Sequence, residues 1–308
     1  MRATIVGGGV IGVSWAGLMA AHGIDVVISD PAPGIEDVVH AGLAELAPSL
    51  DELGLSSAGL TDRVSFEPDL ARAVDGTDVV QENGPERLDL KHQIWTTIEA
   101  NAPAHALFLT STSGIPATDI ATALQAPERL VVGHPFNPPH LIPLVEVVPG
   151  QQTSAEAVQG AVEFYTSLGK KPIVLAKEVP GFVANRLQAA IFRECVHLVA
   201  EGVVTEQQLD EVVTSSLGQR WAVSGPFLSF HLGGGPGGLP HFLEHLGPGL
   251  QKRWGQLGAP NLDEPTNALL SKQADDFGGT VAELAKKRDT AQIALMKALG
   301  TAPSGDSK

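Results

Sequence analysis

Two side chains form a pair able to accept and hold a proton: His134 and Glu146, in the segment GHPFNPPHLIPLVEVV. Histidine exchanges its proton near neutral pH, and a carboxylate beside the imidazole can select its tautomer and favour the imidazolium. Well upstream the chain opens with VGGGVIG, where Gly7, Gly9 and Gly12 give G-x-G-x-x-G directly after the apolar run ATIV. A proton acceptor on a chain that begins like a dinucleotide site points to proton transfer coupled to hydride transfer, the chemistry of alcohol oxidation and ketone reduction.

The elements needed to position these groups can be read around them. ATIV predicts a buried strand, GGGVIG a turn, VSWAGLMAAHG a helix stopped by glycine, and DVVISD the next strand, which together make a βαβ unit. In such a turn the first glycine allows the tight bend, the second lets backbone approach a pyrophosphate, and the third lets helix and strand pack closely, with Val10 and Ile11 opening the helix. Asp30 ends the second strand eighteen residues past Gly12. Its carboxylate suits ribose hydroxyls and repels a 2′-phosphate, so the expected cofactor is NAD rather than NADP.

Further strands are expected in TDVVQE, ALFLTST, LVVGHPF and LVEVVP, separated by helical stretches such as LDLKHQIWTTIEANA and TSAEAVQGAVEFYTSLG. The pattern changes near residue 179, where VPGFVANRLQAAIFRECVHLVAEG starts a long amphipathic helix and strand signals end. The expectation is an α/β fold: a Rossmann-type, doubly wound parallel sheet that binds NAD over residues 1–178, and an all-helical substrate and dimerisation domain over 179–308. HLGGGPGGLP reads as a loop interrupting the helices, and TAPSGDSK as a frayed tail.

Composition narrows the partners. The 308 residues carry a net charge of -15, with 20 basic against 35 acidic side chains, which disfavours nucleic acid and anionic membranes. Residues 3–24 lack formal charge, but their glycines and the following strand favour a soluble βαβ unit over a signal peptide or a membrane span, and the expected location is the cytoplasm. Cys195, the single cysteine, reads as a buried, inert thiol. His241 and His245 flank Glu244 at helical spacing, yet the order differs from H-E-x-x-H and no third ligand is evident, so no metal is expected. His140 reads as loop surface.

Three motifs together resemble the 3-hydroxyacyl-CoA dehydrogenase superfamily: STSG around Ser113, GHPFNPP with His134 and Asn137 followed by Glu146 in LVEVV, and PGFVANRL with Asn185. Within it, HPFNPPHLIPLVEVVPG and LGQRWAVSGPF look most like the L-gulonate 3-dehydrogenase and lambda-crystallin branch, with L-carnitine dehydrogenase a near relative. The resemblance implies that His134 is the general base for a 3-hydroxyl, oriented by Glu146. Ser113 and Asn185 place the reacting oxygen, Asn137 contacts nicotinamide or substrate, and Glu86 and Lys91 touch the cofactor. It also implies a homodimer through the helical domain.

Acyl-CoA members of the superfamily meet the CoA phosphates with a lysine-rich helical excursion after the second strand. Here Ala3 to Asp62 contains no Lys or Arg, and the excursion carries Glu36, Asp37, Glu45, Asp51, Glu52 and Asp62. That surface disfavours a multiply charged nucleotide tail and favours a small, free 3-hydroxy acid, L-gulonate-like, with Arg220 as the cation for its carboxylate and Arg186 as a rival. The alternatives are a 3-hydroxyacyl-CoA dehydrogenase of fatty-acid metabolism and an NAD-binding structural or sensor protein related to crystallin.

Overall fold

The computed structural model describes residues 1–302. Its chain groups into two compact units, Met1–Val183 together with the chain from Ala285 onward, and Ala184–Leu284.

The first unit is built on one eight-stranded sheet in the order β3-β2-β1-β4-β5-β6-β7-β8. The strands are β1 (Arg2–Val6), β2 (Asp25–Ser29), β3 (Val64–Phe66), β4 (Val79–Glu82), β5 (Leu107–Thr110), β6 (Leu130–Pro135), β7 (Leu144–Pro149) and β8 (Lys171–Val174). All neighbours pair in parallel except β6 and β7, which are antiparallel. Six of these strands follow the apolar runs visible in the sequence; β3 (VSF) is only three residues long, and β8 (KPIV) opens on a lysine and a proline, which weakens its strand signal.

The helices between the strands are α1 (Val10–Ala21), α2 (Ile35–Glu52), α3 (Leu70–Ala73), α4 (Leu88–Asn101), α5 (Ala117–Ala121) and α6 (Ala155–Ser167). α1 is apolar all round and is buried along almost its whole length, with Trp15, Leu18 and Met19 shut off from solvent. α2 turns Val39, Leu43, Leu46 and Leu50 into the same core and leaves its acidic side chains outside. Each such fully buried aliphatic side chain contributes about 1.5–3 kcal/mol through removal from water. The excursion after β2 is thus an integral helix of the sheet domain whose outer face is negative.

The second unit contains α7 (Ala184–Ala200), α8 (Glu206–Thr214), α9 (Leu217–Val223), α10 (Pro226–Gly233), α11 (Gly238–Trp254) and α12 (Glu264–Ala274), and no strand among its described residues. Thr205 and Gln208 close a capping box at the start of α8. The glycine-rich segment HLGGGPGGLP is a correction to the sequence reading. It is largely regular: α10 runs to Gly233, a 3-10 turn covers Gly235–Gly237, and α11 begins at Gly238. Glycine lowers helix propensity without forbidding helix, and the ring contact between Phe230 and Phe242, 4.7 Å apart, ties the two helices together.

The last helix, α13 (Val281–Leu299), buries Ile293 and Met296 in the core of the sheet unit. From Pro303 the expected tail lies outside the described residues. No helix among the described residues is long and apolar enough to cross a membrane.

Candidate active site

The antiparallel pairing of β6 and β7 explains why a histidine and a glutamate twelve residues apart meet. His134 and Glu146 are directly opposite in register, so their side chains leave the same face of the sheet. Nδ1 of His134 lies 2.9 Å from Oε2 of Glu146, and both side chains are buried. The other carboxylate oxygen, Oε1, accepts the backbone N–H of Val183 at 2.9 Å. An ionised carboxylate only accepts, so it fixes the proton on Nδ1 and leaves Nε2 as the nitrogen able to take a proton. The rings of Phe136 and Phe182 both lie against the imidazole, at 5.4 Å and 5.3 Å between ring centroids.

β6 is parallel to β5, β4 and β1, so His134 at its C-terminal end shares the sheet edge from which the glycine turn leaves β1. At that turn Gly7 takes a positive φ of 94°, and a Cβ on Gly12 would stand 1.9 Å from the Gly7 carbonyl oxygen, so neither position accepts a side chain. Around Gly9, which caps α1, a Cβ would meet nothing within 4 Å. That opening beside the helix N-terminus is what a pyrophosphate requires. Asp30 at the end of β2 accepts the Gly8 amide through Oδ2 at 2.8 Å and the Ala32 amide through Oδ1 at 2.8 Å. It thereby braces the turn and still has lone pairs on the edge of a cleft of about 370 Å³ lined by Pro31, Gly34, Ile35, Glu36 and Phe66. The residues fit an adenosine without a 2′-phosphate. Val10 is exposed and Ile11 half-buried at the start of α1.

Ser113 sits in the exposed turn after β5, and that turn is organised by Glu86. One oxygen of Glu86 accepts the Thr112 hydroxyl at 2.6 Å and the amides of Ser113, Gly114 and Ile115 at 3.0, 2.7 and 3.3 Å. Burial alone would raise the Glu86 pKa, but the Thr112 hydroxyl, the Gly114 amide and the Lys91 charge outweigh it and hold the carboxyl ionised below its ordinary range. Lys91 is fully buried on α4; its ammonium donates to both oxygens of Glu82 at 2.8 and 3.0 Å and stands 3.7 Å from Glu86. The structure therefore places Lys91 behind Glu86 as a brace. Asn137 is exposed just beyond β6, in a cis peptide with Pro138.

Asn185 and Arg220 belong to the helical unit, on the first turn of α7 and on α9, Asn185 half-buried and Arg220 exposed. Cys195 on α7 is only partly buried rather than shut inside the helix packing, and burial raises its thiol pKa, which favours the protonated form. The rings of His241 and His245 stand 4.3 Å apart, and no group of three or more His, Cys, Asp or Glu among the described residues is arranged to hold a metal.

His140 corrects the sequence reading. It is buried rather than on a loop surface: Nδ1 and the Ser14 hydroxyl share a hydrogen bond of 2.9 Å, and the His140 amide donates to Ser14 Oγ at 2.9 Å. Burial lowers its pKa to about 4, so the ring stays neutral and able to accept. The Lys170 ammonium, also buried, donates to the carbonyls of Pro139 and Ile142. The loop from Phe136 to Pro143 is thus tied on one side to α1 and on the other to the residue just before β8. Sequence reasoning missed Phe182, Ser14 and Lys170, since no motif marks a core serine or a lysine whose partners are backbone carbonyls.

Residues 2–179 match the family model described as 3-hydroxyacyl-CoA dehydrogenase, NAD binding domain, and residues 181–259 match the C-terminal domain of the same family. L-carnitine dehydrogenase of Streptomyces coelicolor is 43% identical over 310 residues, spanning 100% of this chain and 98% of the relative. The enzyme of that name from Streptomyces griseus is 45% identical over 305 residues, covering 98% of this chain and 91% of its own. Among solved structures, 5-formyl-3-hydroxy-2-methylpyridine 4-carboxylic acid 5-dehydrogenase, an NAD+-dependent dismutase, superposes with a TM-score of 0.78 at 30% identity over 97% of this chain and 98% of that one. (S)-3-hydroxybutyryl-CoA dehydrogenase from Ralstonia eutropha gives 0.62 at 28% identity over 69% of this chain and 76% of its own. The chain belongs to the 3-hydroxyacyl-CoA dehydrogenase family and is an NAD-dependent oxidoreductase acting on a CH-OH group.

Proposed function

We propose that this enzyme oxidises the 3-hydroxyl of a small, free 3-hydroxy acid to the ketone, with L-carnitine as the leading substrate. The observation that carries the reading is the buried His134–Glu146 pair at the sheet edge that also bears the glycine turn. NAD, held by the glycine turn and Asp30, would supply the hydride acceptor for this oxidation. His134 accepts the hydroxyl proton at Nε2, and Glu146 stabilises the imidazolium as it forms. The Ser113 hydroxyl and the Asn185 amide hold the reacting oxygen, and Asn137 contacts nicotinamide or substrate. The glycine turn with Val10 and Ile11, and Asp30, hold the dinucleotide, with Glu86, which organises the Ser113 turn, and Lys91 on α4 behind it assigned to the same cofactor.

L-carnitine takes precedence over L-gulonate because L-carnitine dehydrogenases are similar over nearly the whole chain. Arg220 is assigned to its carboxylate and the adjacent Trp221 to its trimethylammonium, for which an aromatic face is a natural partner. A free acid rather than a CoA ester follows from the exposed acidic side chains of α2 and the absence of any Lys or Arg from Ala3 to Asp62. We assign nucleotide binding to residues 1–178, and substrate binding and homodimer formation to 179–308, with the cytoplasm as the site of action.

The test is NADH formation with L-carnitine, L-gulonate and 3-hydroxybutyrate as separate substrates. Turnover of L-carnitine that disappears in His134→Gln supports the reading. Absence of turnover with all three acids refutes it.

A further inference from the structure

A single short segment touches both members of the dyad. The Phe182 ring stands 5.3 Å from the His134 imidazole, tilted by 54°, and the next residue, Val183, donates its amide to Glu146. Backbone that meets both demands is unusual. Phe182 has a φ of 48°, the only non-glycine residue with positive φ among the described residues, and Gly181 before it stands at 73°. A bulky side chain avoids that region because Cβ crowds the backbone, so the conformation persists only where the surroundings enforce it. Here they do: Phe182 is 1% exposed, packed with Ala117, Val132 and Val148.

We propose that Phe182 is a positioning residue for the dehydrogenation, its ring walling the His134 imidazole together with Phe136 and its left-handed backbone aiming the Val183 N–H at Glu146. The inference rests on the reading of His134 as proton acceptor. Oε1 of Glu146 is held by the amide and Oε2 by the imidazole, so the carboxylate cannot rotate away when the ring becomes charged. The two aromatic neighbours fix the ring plane and keep water from competing for Nδ1–H. A leucine or methionine would fill much of the volume but supply no flat wall.

The test compares Phe182→Leu, Phe182→Met and Phe182→Tyr with the parent in two measurements. Steady-state kinetics give kcat separately from the KM for NAD, and proton NMR of the ligand-free protein follows the downfield Nδ1–H resonance, assigned by its loss in His134→Gln. We expect the leucine and methionine variants to lower kcat about tenfold with the KM for NAD within about twofold of the parent. Their Nδ1–H resonance should shift or broaden, whereas Phe182→Tyr keeps kcat within about threefold. A folded leucine or methionine variant with parental kcat and an unchanged resonance overturns the proposal, as does a tyrosine variant as slow as leucine. Either aliphatic variant suffices if the other does not fold. Lack of turnover in the parent would refute the assigned reaction, while the resonance still decides whether Phe182 orders the pair.

Discussion

The sheet unit and the helical unit differ sharply in how much of themselves they bury. In the first, Trp15, Leu18, Leu43, Val131, Val145 and Tyr165 belong to one continuous core shut off from solvent. In the second, the buried large apolar side chains among the described residues are Val196, Val199 and Phe242, while Leu187, Phe192, Phe227, Leu232 and Trp254 are each more than half exposed. Apolar surfaces of that kind mark sites of interaction with proteins, membranes or ligands. The lesson is a division of labour. Groups that must be held to a fraction of an ångström sit on strands in a finished core, and the helical unit, which in a single chain leaves its apolar helices bare, carries the residues assigned to substrate and subunit contact.

The largest expected effect lies in the finished half. His134→Gln should lower kcat by about 10² to 10⁴ while leaving NADH binding intact, because the variant loses the proton acceptor and nothing at the glycine turn. Stopped-assay kinetics and fluorescence titration separate the two. A loss of NADH binding of the same size would make the dyad part of the nucleotide site and blur the division.

The next effect concerns the unfinished half. Light scattering at micromolar concentration should give twice the chain mass, and Phe227→Asp with Leu232→Asp, both on α10, should weaken the association about a hundredfold. A monomeric parent would show that the bare helices serve something other than a second copy. Smaller again, Arg220→Met should raise the KM for the hydroxy acid about tenfold with the KM for NAD unchanged. Equal changes in both constants would remove the substrate assignment from α9.

Much of the sheet unit could be read from sequence because its signals are local. The glycine spacing, the Asp30 at a strand end and the apolar runs each report on a few residues, and antiparallel register turns a spacing of twelve into a contact between His134 and Glu146. What stayed hidden depends on tertiary surroundings. Phe182 is apolar like many core residues, and only the fold reveals its positive φ and its place on the imidazole. His140 looked like a loop side chain because NPPHLIP is rich in proline, yet Ser14 on α1, far away in sequence, draws it inside. The glycines of HLGGGPGGLP overstated the break between α10 and α11, because packing of Phe230 on Phe242 overrides weak propensity.

The smallest effect is a pH dependence of the sheet unit. Burial lowers the Lys170 pKa in the folded protein from 10.5 to about 7, so above 7 the unfolded chain holds more protons than the folded one and stability rises with pH. The cost of burying the ammonium is present in full below 7 and is relieved towards 10.5. Relative to Lys170→Met, the unfolding free energy of the parent should therefore increase by about 1 kcal/mol over the first pH unit above 7, measured by urea denaturation. A constant difference would mean that the ammonium is better solvated than its surroundings suggest.

The account stands or falls on what His134 takes its proton from. The most direct measurement is the ratio of kcat/KM for L-carnitine to that for 3-hydroxybutyryl-CoA, with NAD saturating in both. The acidic face of α2 and the lack of cations from Ala3 to Asp62 predict a preference for the free acid of about a hundredfold or more. A preference for the CoA ester would contradict it.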